Sequence, residues 1–526
     1  MGRMSGVIKG LCKATIILAI TGTFNHSYSQ QQAKPPVPID WNEVDQWKRK
    51  VEAHPDSLGF HTAFIKSFGW SGNLFVLERD YKSRYDSAEA MLDKQYKIWI
   101  SQFPKVFAVH YAVGSAYWDH ESPKATPYLK RAAELDPKNA DAFFKLSIDA
   151  ERWGDNNAGI EYMRLASEAD PSNPAYFFYY ANSFRSTDLD FYHTKVNELV
   201  RRFPEHERGA QGLYWLGNDT KGAENKIKVY EELRLKYPPE KFSWSESGMY
   251  GLFEQYLYTN QYEKAISLSE SLILKRGWSE MNEFAKKYSA IQSDIHAAKY
   301  KEAYDSVMRL KISRLPYFAD KVVLLEAVLA EKTGHPESGY QKLLQAYAKT
   351  PTPELDEYIA TFAKKTGKDE TSVKRDIWGI RAKTTKPAYP FDLGLYTSEK
   401  NAKLSDYKGK VILLTFWFPG CGPCRAEFPH FENVVKKYSP EQLVYLGINV
   451  LPNQDDYVLP FMRGTKYSFI PLKATSEWAA KHYGVKGEPT NFLLDQEGNI
   501  VFANFRIGQN NETTLELMIN SLLEKH

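Results

Sequence analysis

From Asp40 to about Lys383, apolar residues recur with the spacing of helix turns and do not alternate, which predicts a long all-α segment. Residues 125–135 and 158–169 read as helices rich in small residues, and segments 262–272 and 317–333 as further helical pairs. Five prolines stand in phase, Pro104, Pro137, Pro171, Pro204 and Pro238, at spacings of 33, 34, 33 and 34 residues. Proline has no N–H to continue a helix and pushes the residue before it out of the α region, so each should close a helix. The pattern breaks at 381–387, a charged and polar stretch ending in proline that reads as a linker. Beyond it, the apolar run Val411–Trp417 predicts a buried strand, and helical spacing from Arg425 to Tyr438 predicts the helix that follows.

The repeat extends past the prolines. Leu135-Asp136-Pro137-Lys138-Asn139 recurs as Ala169-Asp170-Pro171-Ser172-Asn173, and Phe143-Phe144 recurs as Phe177-Phe178. Ala132, Ala133, Ala166 and Ala169 allow helices to approach closely, and Tyr111, Phe144 and Phe178, each seven residues beyond a proline, should fill the seams. A period of about 34 residues closed by proline resembles the tetratricopeptide repeat, best over roughly residues 100–255. Of the usual Trp and Gly signature, Trp215-Leu216-Gly217 is a fragment. The resemblance implies a helical-repeat solenoid over 41–380, whose concave face would bind a protein or peptide. An irregular helical domain whose helices end at prolines is the alternative.

Residues 1–29 have the layout of a cleaved signal peptide: Arg3, Lys9 and Lys13, then an apolar stretch from Ala14 to Phe24, then Ser27-Tyr28-Ser29. Residues 30–40 form a polar linker. Cys12 precedes the apolar stretch, so it would leave with the discarded segment. The mature chain is then expected in the periplasm or cell envelope, with no membrane-spanning segment. Removing three basic residues and no acids leaves 65 basic residues against 65 acidic ones. That balance gives no electrostatic reason to expect nucleic acid as a partner.

Two cysteines remain, in Cys421-Gly422-Pro423-Cys424, between the predicted strand and helix. A structural zinc site needs four N or S ligands, and there is neither a second pair nor a histidine three to five residues from His430. A static staple across so short a loop would remove little chain entropy. A strand entering a helix whose first turn carries the pair reads as a reversible dithiol. No metal and no cofactor are implied.

Residues 388–526 resemble the thioredoxin superfamily, specifically the exported thiol–disulfide oxidoreductases of the TlpA/ResA type. Leu404–Lys410 precedes the central strand, Phe416-Trp417 leads to the C-G-P-C, and Arg425-Ala426-Glu427-Phe428-Pro429 continues the helix. A strand at 443–450, a helix at about 455–466, Tyr483-Gly484-Val485, Gly487-Glu488-Pro489-Thr490, a hairpin at 490–506 turning at Gln496-Glu497-Gly498, and a last helix from Thr513 complete the likeness. The whole chain is thus expected to be multidomain, an all-α helical-repeat solenoid followed by an α/β thioredoxin-like domain.

The resemblance implies roles. Cys421 would be the exposed nucleophile at the helix tip, and Cys424 the resolving thiol, the two forming a redox-active disulfide. Gly422-Pro423 resembles the dipeptide of reducing thioredoxins. Pro489 would be a cis-proline on the substrate-side loop, flanked by Glu488 and Thr490, with Trp417 supporting the pair and Pro429 kinking the helix. Substrates would be protein thiols and disulfides, and another protein would donate electrons. Two departures stand out. Gly420 occupies the place where many relatives keep Trp, and Thr415 the place of a buried Asp in cytoplasmic thioredoxins. Glu488, Asp455 and Asp456 are candidates for handling the resolving thiol's proton, although Glu488 equally suits a solvated loop charge. Competing functions are a peroxiredoxin-like thiol peroxidase, for which Pro419 lies too close to Cys421 and the usual Thr is missing, and a repeat scaffold with a non-catalytic thioredoxin-like module.

Overall fold

A computed structural model describes residues 38–70, 81–311, 315 and 318–524. The signal-peptide reading of 1–29, with Cys12, and most of the 30–40 linker lie outside the described residues.

Helices occupy the described chain from Trp41 to Arg381, most of them packed on their sequence neighbours, while the helix Glu370–Arg381 packs on Pro336–Lys349. Helices end at Gln102, Leu135, Ala169, Arg202 and Lys236, each two residues before one of the five phased prolines. The asparagine of each repeated motif starts the next helix. Asn139 accepts a hydrogen bond from the Ala142 N–H and Asn173 from the Ala175 N–H, covering donors that the first turn leaves without partners. Phe144 and Phe178 are buried in the seams. Tyr111 is half-buried, with its hydroxyl donating to Asp141.

The C-terminal domain is built on a six-stranded sheet in the order β1-β8-β7-β4-β5-β6. The strands are β1 Lys386–Pro387, β4 Val411–Trp417, β5 Leu443–Asn449, β6 Ile470–Lys473, β7 Thr490–Leu494 and β8 Asn499–Ala503, while β2 Asp392–Gly394 and β3 Asn401–Lys403 form a separate ribbon. β4 runs parallel to β5 and antiparallel to β7. Every residue of β4 is buried, as a central strand covered on both faces requires. Its side chains alternate between two cores. Val411, Leu413 and Trp417 pack with Phe428, Phe431, Met518 and Ile519 from the helices Gly422–Val435 and Glu512–Leu523. Ile412, Leu414 and Phe416 face Ala479 and Tyr483 of the helix Ser476–Tyr483.

The helical region touches this domain on two faces. At its far end, Arg381 is 3% exposed and donates from Nε to the Ala348 carbonyl (3.1 Å) and from Nη1 to Ser521 Oγ (2.9 Å). Its guanidinium lies over the Phe502 ring at 4.8 Å. Nearer the chain's start, the turn after the helix Phe107–Asp119 and the end of the helix Ala140–Arg152 meet residues 419–464. There Tyr457 donates to Asp149 Oδ1 at 2.5 Å, and its ring meets Trp153 edge-on at 4.7 Å.

Candidate active site

β4 delivers the chain to Trp417, and after three residues Cys421 becomes the N-cap of the helix Gly422–Val435. Gly422 and Pro423 open that helix, where a missing N–H costs no hydrogen bond. The Cys424 N–H donates to Cys421 Sγ at 3.1 Å. A disulfide joins Cys421 to Cys424, with their Cα atoms 5.3 Å apart. The first sulfur therefore sits on an unpaired amide at the positive end of the helix, which favours a thiolate there once the bond is reduced.

The expectation that Cys421 is exposed is corrected: Cys421 is 4% exposed and Cys424 0%. Both sulfurs fold into the apolar cluster that holds Trp417 and Phe428. Trp417, fully buried, meets Phe428 and Phe469 edge-on at 5.2 and 5.1 Å, a rigid floor under the pair.

The Glu488–Pro489 peptide is cis, and Pro489 is buried immediately before β7. Thr490 pairs in register with Phe416 near the end of β4, which brings this loop to the edge from which the dithiol segment departs. Thr490 Oγ1 closes the turn by donating to the Gly487 carbonyl at 2.6 Å. Glu488 is half-buried, and loss of solvent pushes its carboxyl up to about 7. Pro429 lies inside the active-site helix.

Glu427 is a buried carboxylate to which the resemblance assigned no role. It lies one turn beyond Cys424 on the same helix and is 6% exposed. Asn491 Nδ2 donates to Glu427 Oε2 at 2.8 Å, and the Thr415 hydroxyl donates to Asn491 Oδ1 at 2.9 Å. Burial pushes Glu427 up to about 7, against the Asn491 hydrogen bond and Arg506 at 3.6 Å. Thr415 thus bears no carboxylate but is linked to one through Asn491. The signal was the spacing Cys424 to Glu427, which puts both on one helix face. The other candidates lie elsewhere. Asp455 accepts from Tyr396 and from Asn449 Nδ2 (2.9 Å), and Asp456 is exposed.

The AhpC/TSA family matches residues 385–503. Thiol-disulfide oxidoreductase ResA of Bacillus subtilis (strain 168) is 33% identical over 105 residues, 20% of this chain and 58% of ResA. Thioredoxin-like protein YneN of the same organism is 31% identical over 133 residues, 25% of this chain and 75% of YneN. StoA from Bacillus subtilis, a solved structure, is 21% identical, with 25% of this chain and 96% of StoA covered and a TM-score of 0.22. The chain therefore spans little more than half the length of ResA.

Proposed function

The chain belongs, through its C-terminal domain, to the thioredoxin-like family of YneN and ResA, and from that premise we propose that it is a thiol–disulfide oxidoreductase that reduces protein disulfides with Cys421 and Cys424. The single observation that carries the reading is the Cys424 amide on Cys421 Sγ at the helix tip. In the reduced protein the Cys421 thiolate attacks one sulfur of a substrate disulfide. The substrate S–S bond breaks, a Cys421–substrate mixed disulfide forms, and the leaving substrate thiolate takes a proton. Cys424 then loses its proton, for which Glu427 is the nearest buried acceptor on the same helix, and attacks Cys421 Sγ. The second substrate thiol departs and the Cys421–Cys424 bond remains. Two electrons and two protons have passed to the substrate, and a partner protein's dithiol restores the pair. Pro489, Glu488 and Thr490 border the substrate on the opposite loop.

The same reading includes export to the periplasm or cell envelope, carried by the sequence of residues 1–29. Among the described residues, no helix is long and apolar enough to cross a membrane. The helical region, read as degenerate tetratricopeptide-like repeats over 41–380, serves as a docking surface for a protein or peptide; of the linker read at 381–387, Arg381 instead ends a helix and Lys386–Pro387 pair with β8 in the sheet.

Reduction of insulin disulfides by the full chain, driven by dithiothreitol, tests the reading. Turnover above the dithiothreitol background is expected, and loss of it in Cys421→Ser. Equal turnover in that variant would remove the dithiol from the mechanism.

A further inference from the structure

Gly420 has a physical cause. A Cβ there would overlap the Glu121 carboxylate and lie 2.9 and 3.0 Å from the Gln454 amide nitrogen and oxygen. The space that a side chain at position 420 would fill is taken by an acidic residue of the helical region. Glu121 stands in the turn after the helix Phe107–Asp119 with φ +55, a conformation uncommon outside glycine that aims its side chain at the other domain.

The backbone leading to Cys421 is held by side chains that the helical region grips from behind. The Gly420 N–H donates to Gln454 Oε1 at 2.6 Å, and Gln454 Nε2 donates to Glu121 Oε2 at 2.6 Å. Glu121 Oε1 in turn meets Arg152 Nη2 at 3.2 Å. The Pro419 carbonyl accepts from Arg425 Nη1 at 2.8 Å, while Arg425 Nη2 donates to Glu151 Oε2 at 2.7 Å. Gln454 is 0% exposed and Arg152 4%, so neither has water as an alternative partner.

We propose that Glu121 and Glu151 are positioning residues of the dithiol: through Gln454 and Arg425 the helical region fixes the segment before Cys421 and sets how readily the disulfide is reduced. The inference rests on the oxidoreductase reading above. The charged and titratable groups tied into this contact are His120, Glu121, Asp149, Glu151 and Arg152 from the helical region, with Arg425 and Tyr457 from the C-terminal domain. Glu151 balances Arg425, next to Cys424, and Glu121 balances Arg152. Removing either carboxylate takes negative charge away from the segment that leads into Cys421, which stabilises the thiolate and with it the reduced form.

The test is the equilibrium of the full chain with dithiothreitol, together with the pH profile of Cys421 alkylation, in the wild type, Glu121→Gln, Glu151→Gln and Glu161→Gln. Gln keeps an oxygen that can accept from Gln454 or Arg425, so charge is isolated from shape. Among the described residues Glu161 pairs only with Arg164, on a solvated helix face, and is the control. We expect Glu121→Gln and Glu151→Gln each to move the equilibrium at least threefold toward the dithiol, about 14 mV for a two-electron couple. The alkylation midpoint should move down in both, and Glu161→Gln should match the wild type. Glu151 is half-exposed, so its variant serves where Glu121→Gln disturbs folding. A wild-type pair that never exchanges with dithiothreitol removes the oxidoreductase reading, and this inference with it. Wild-type exchange with both constants unchanged in the two variants overturns the inference alone.

Discussion

Asn491 donates its amide to Glu427 at 2.8 Å while its carbonyl accepts from Thr415 at 2.9 Å, so one side chain ties β4 to the active-site helix beneath the dithiol. That hydrogen bond favours the ionised carboxylate, and burial opposes it. If Glu427 takes the proton from Cys424, turnover should rise with pH through about 7 in the wild type. Glu427→Gln should lose that limb and slow turnover by about tenfold or more at neutral pH. Asn491→Leu should keep the limb but move it to higher pH, because the neutral acid is then favoured further. Insulin reduction between pH 5 and 9 reads both, and a Glu427→Gln profile that overlays the wild type would dismiss Glu427.

The same carboxyls make stability depend on pH. Glu427 and Glu488 are both pushed up to about 7 in the folded protein. An acid whose folded pKa exceeds its unfolded value binds more protons folded than unfolded. Their contribution to stability is therefore fully present below the ordinary carboxylate range and is lost as pH rises through about 7. For Glu427 the loss is on the order of 2–3 kcal/mol. Urea unfolding of the oxidised full chain at pH 5 and pH 8 should show it, and Glu427→Gln should remove its share of the difference and leave that of Glu488.

Much of the fold was legible because its signals are local. An uninterrupted apolar run marked β4, the five phased prolines marked five helix ends, and the asparagines two residues after Pro137 and Pro171 proved to be the caps of the following helices. The dithiol was legible for the same reason: the cysteines and their helix occupy one stretch of sequence. What escaped lies in contacts between distant residues. Glu121 and Gln454 are 333 positions apart, and no periodicity in either segment encodes their meeting. The burial of Cys421 follows from tertiary packing and could not be read from its place at a helix start. Gly420 was visible as a departure, but its reason lay in the other domain.

Tyr457 supplies a buried link between the two regions. Its hydroxyl donates to Asp149, which is 1% exposed and otherwise receives the Thr126 hydroxyl at 2.6 Å. Tyr457→Phe keeps the ring against Trp153 but leaves a buried carboxylate oxygen without its donor. A loss of about 1–3 kcal/mol is expected in urea unfolding. A variant as stable as the wild type would mean that the contact carries no net energy.

Gly154 offers the sharpest test of the interface itself. Its φ of +78 is one that side chains rarely adopt, and a Cβ there would lie 2.8 Å from the backbone Cα and carbonyl oxygen of Phe461. Those are main-chain atoms of the helix Asp455–Thr465, so no rotamer change can relieve the overlap. Gly154→Ala should therefore push the helical region off residues 452–464 and loosen the Glu121–Gln454 and Glu151–Arg425 contacts together. Amide hydrogen exchange should quicken in residues 452–464 and in the turn at 120–121. Gly59→Ala, where the added Cβ meets only Ser57 Oγ at 4.0 Å, should leave both segments as protected as in the wild type. Unchanged exchange at 452–464 in Gly154→Ala would show that this face does not hold the two regions together.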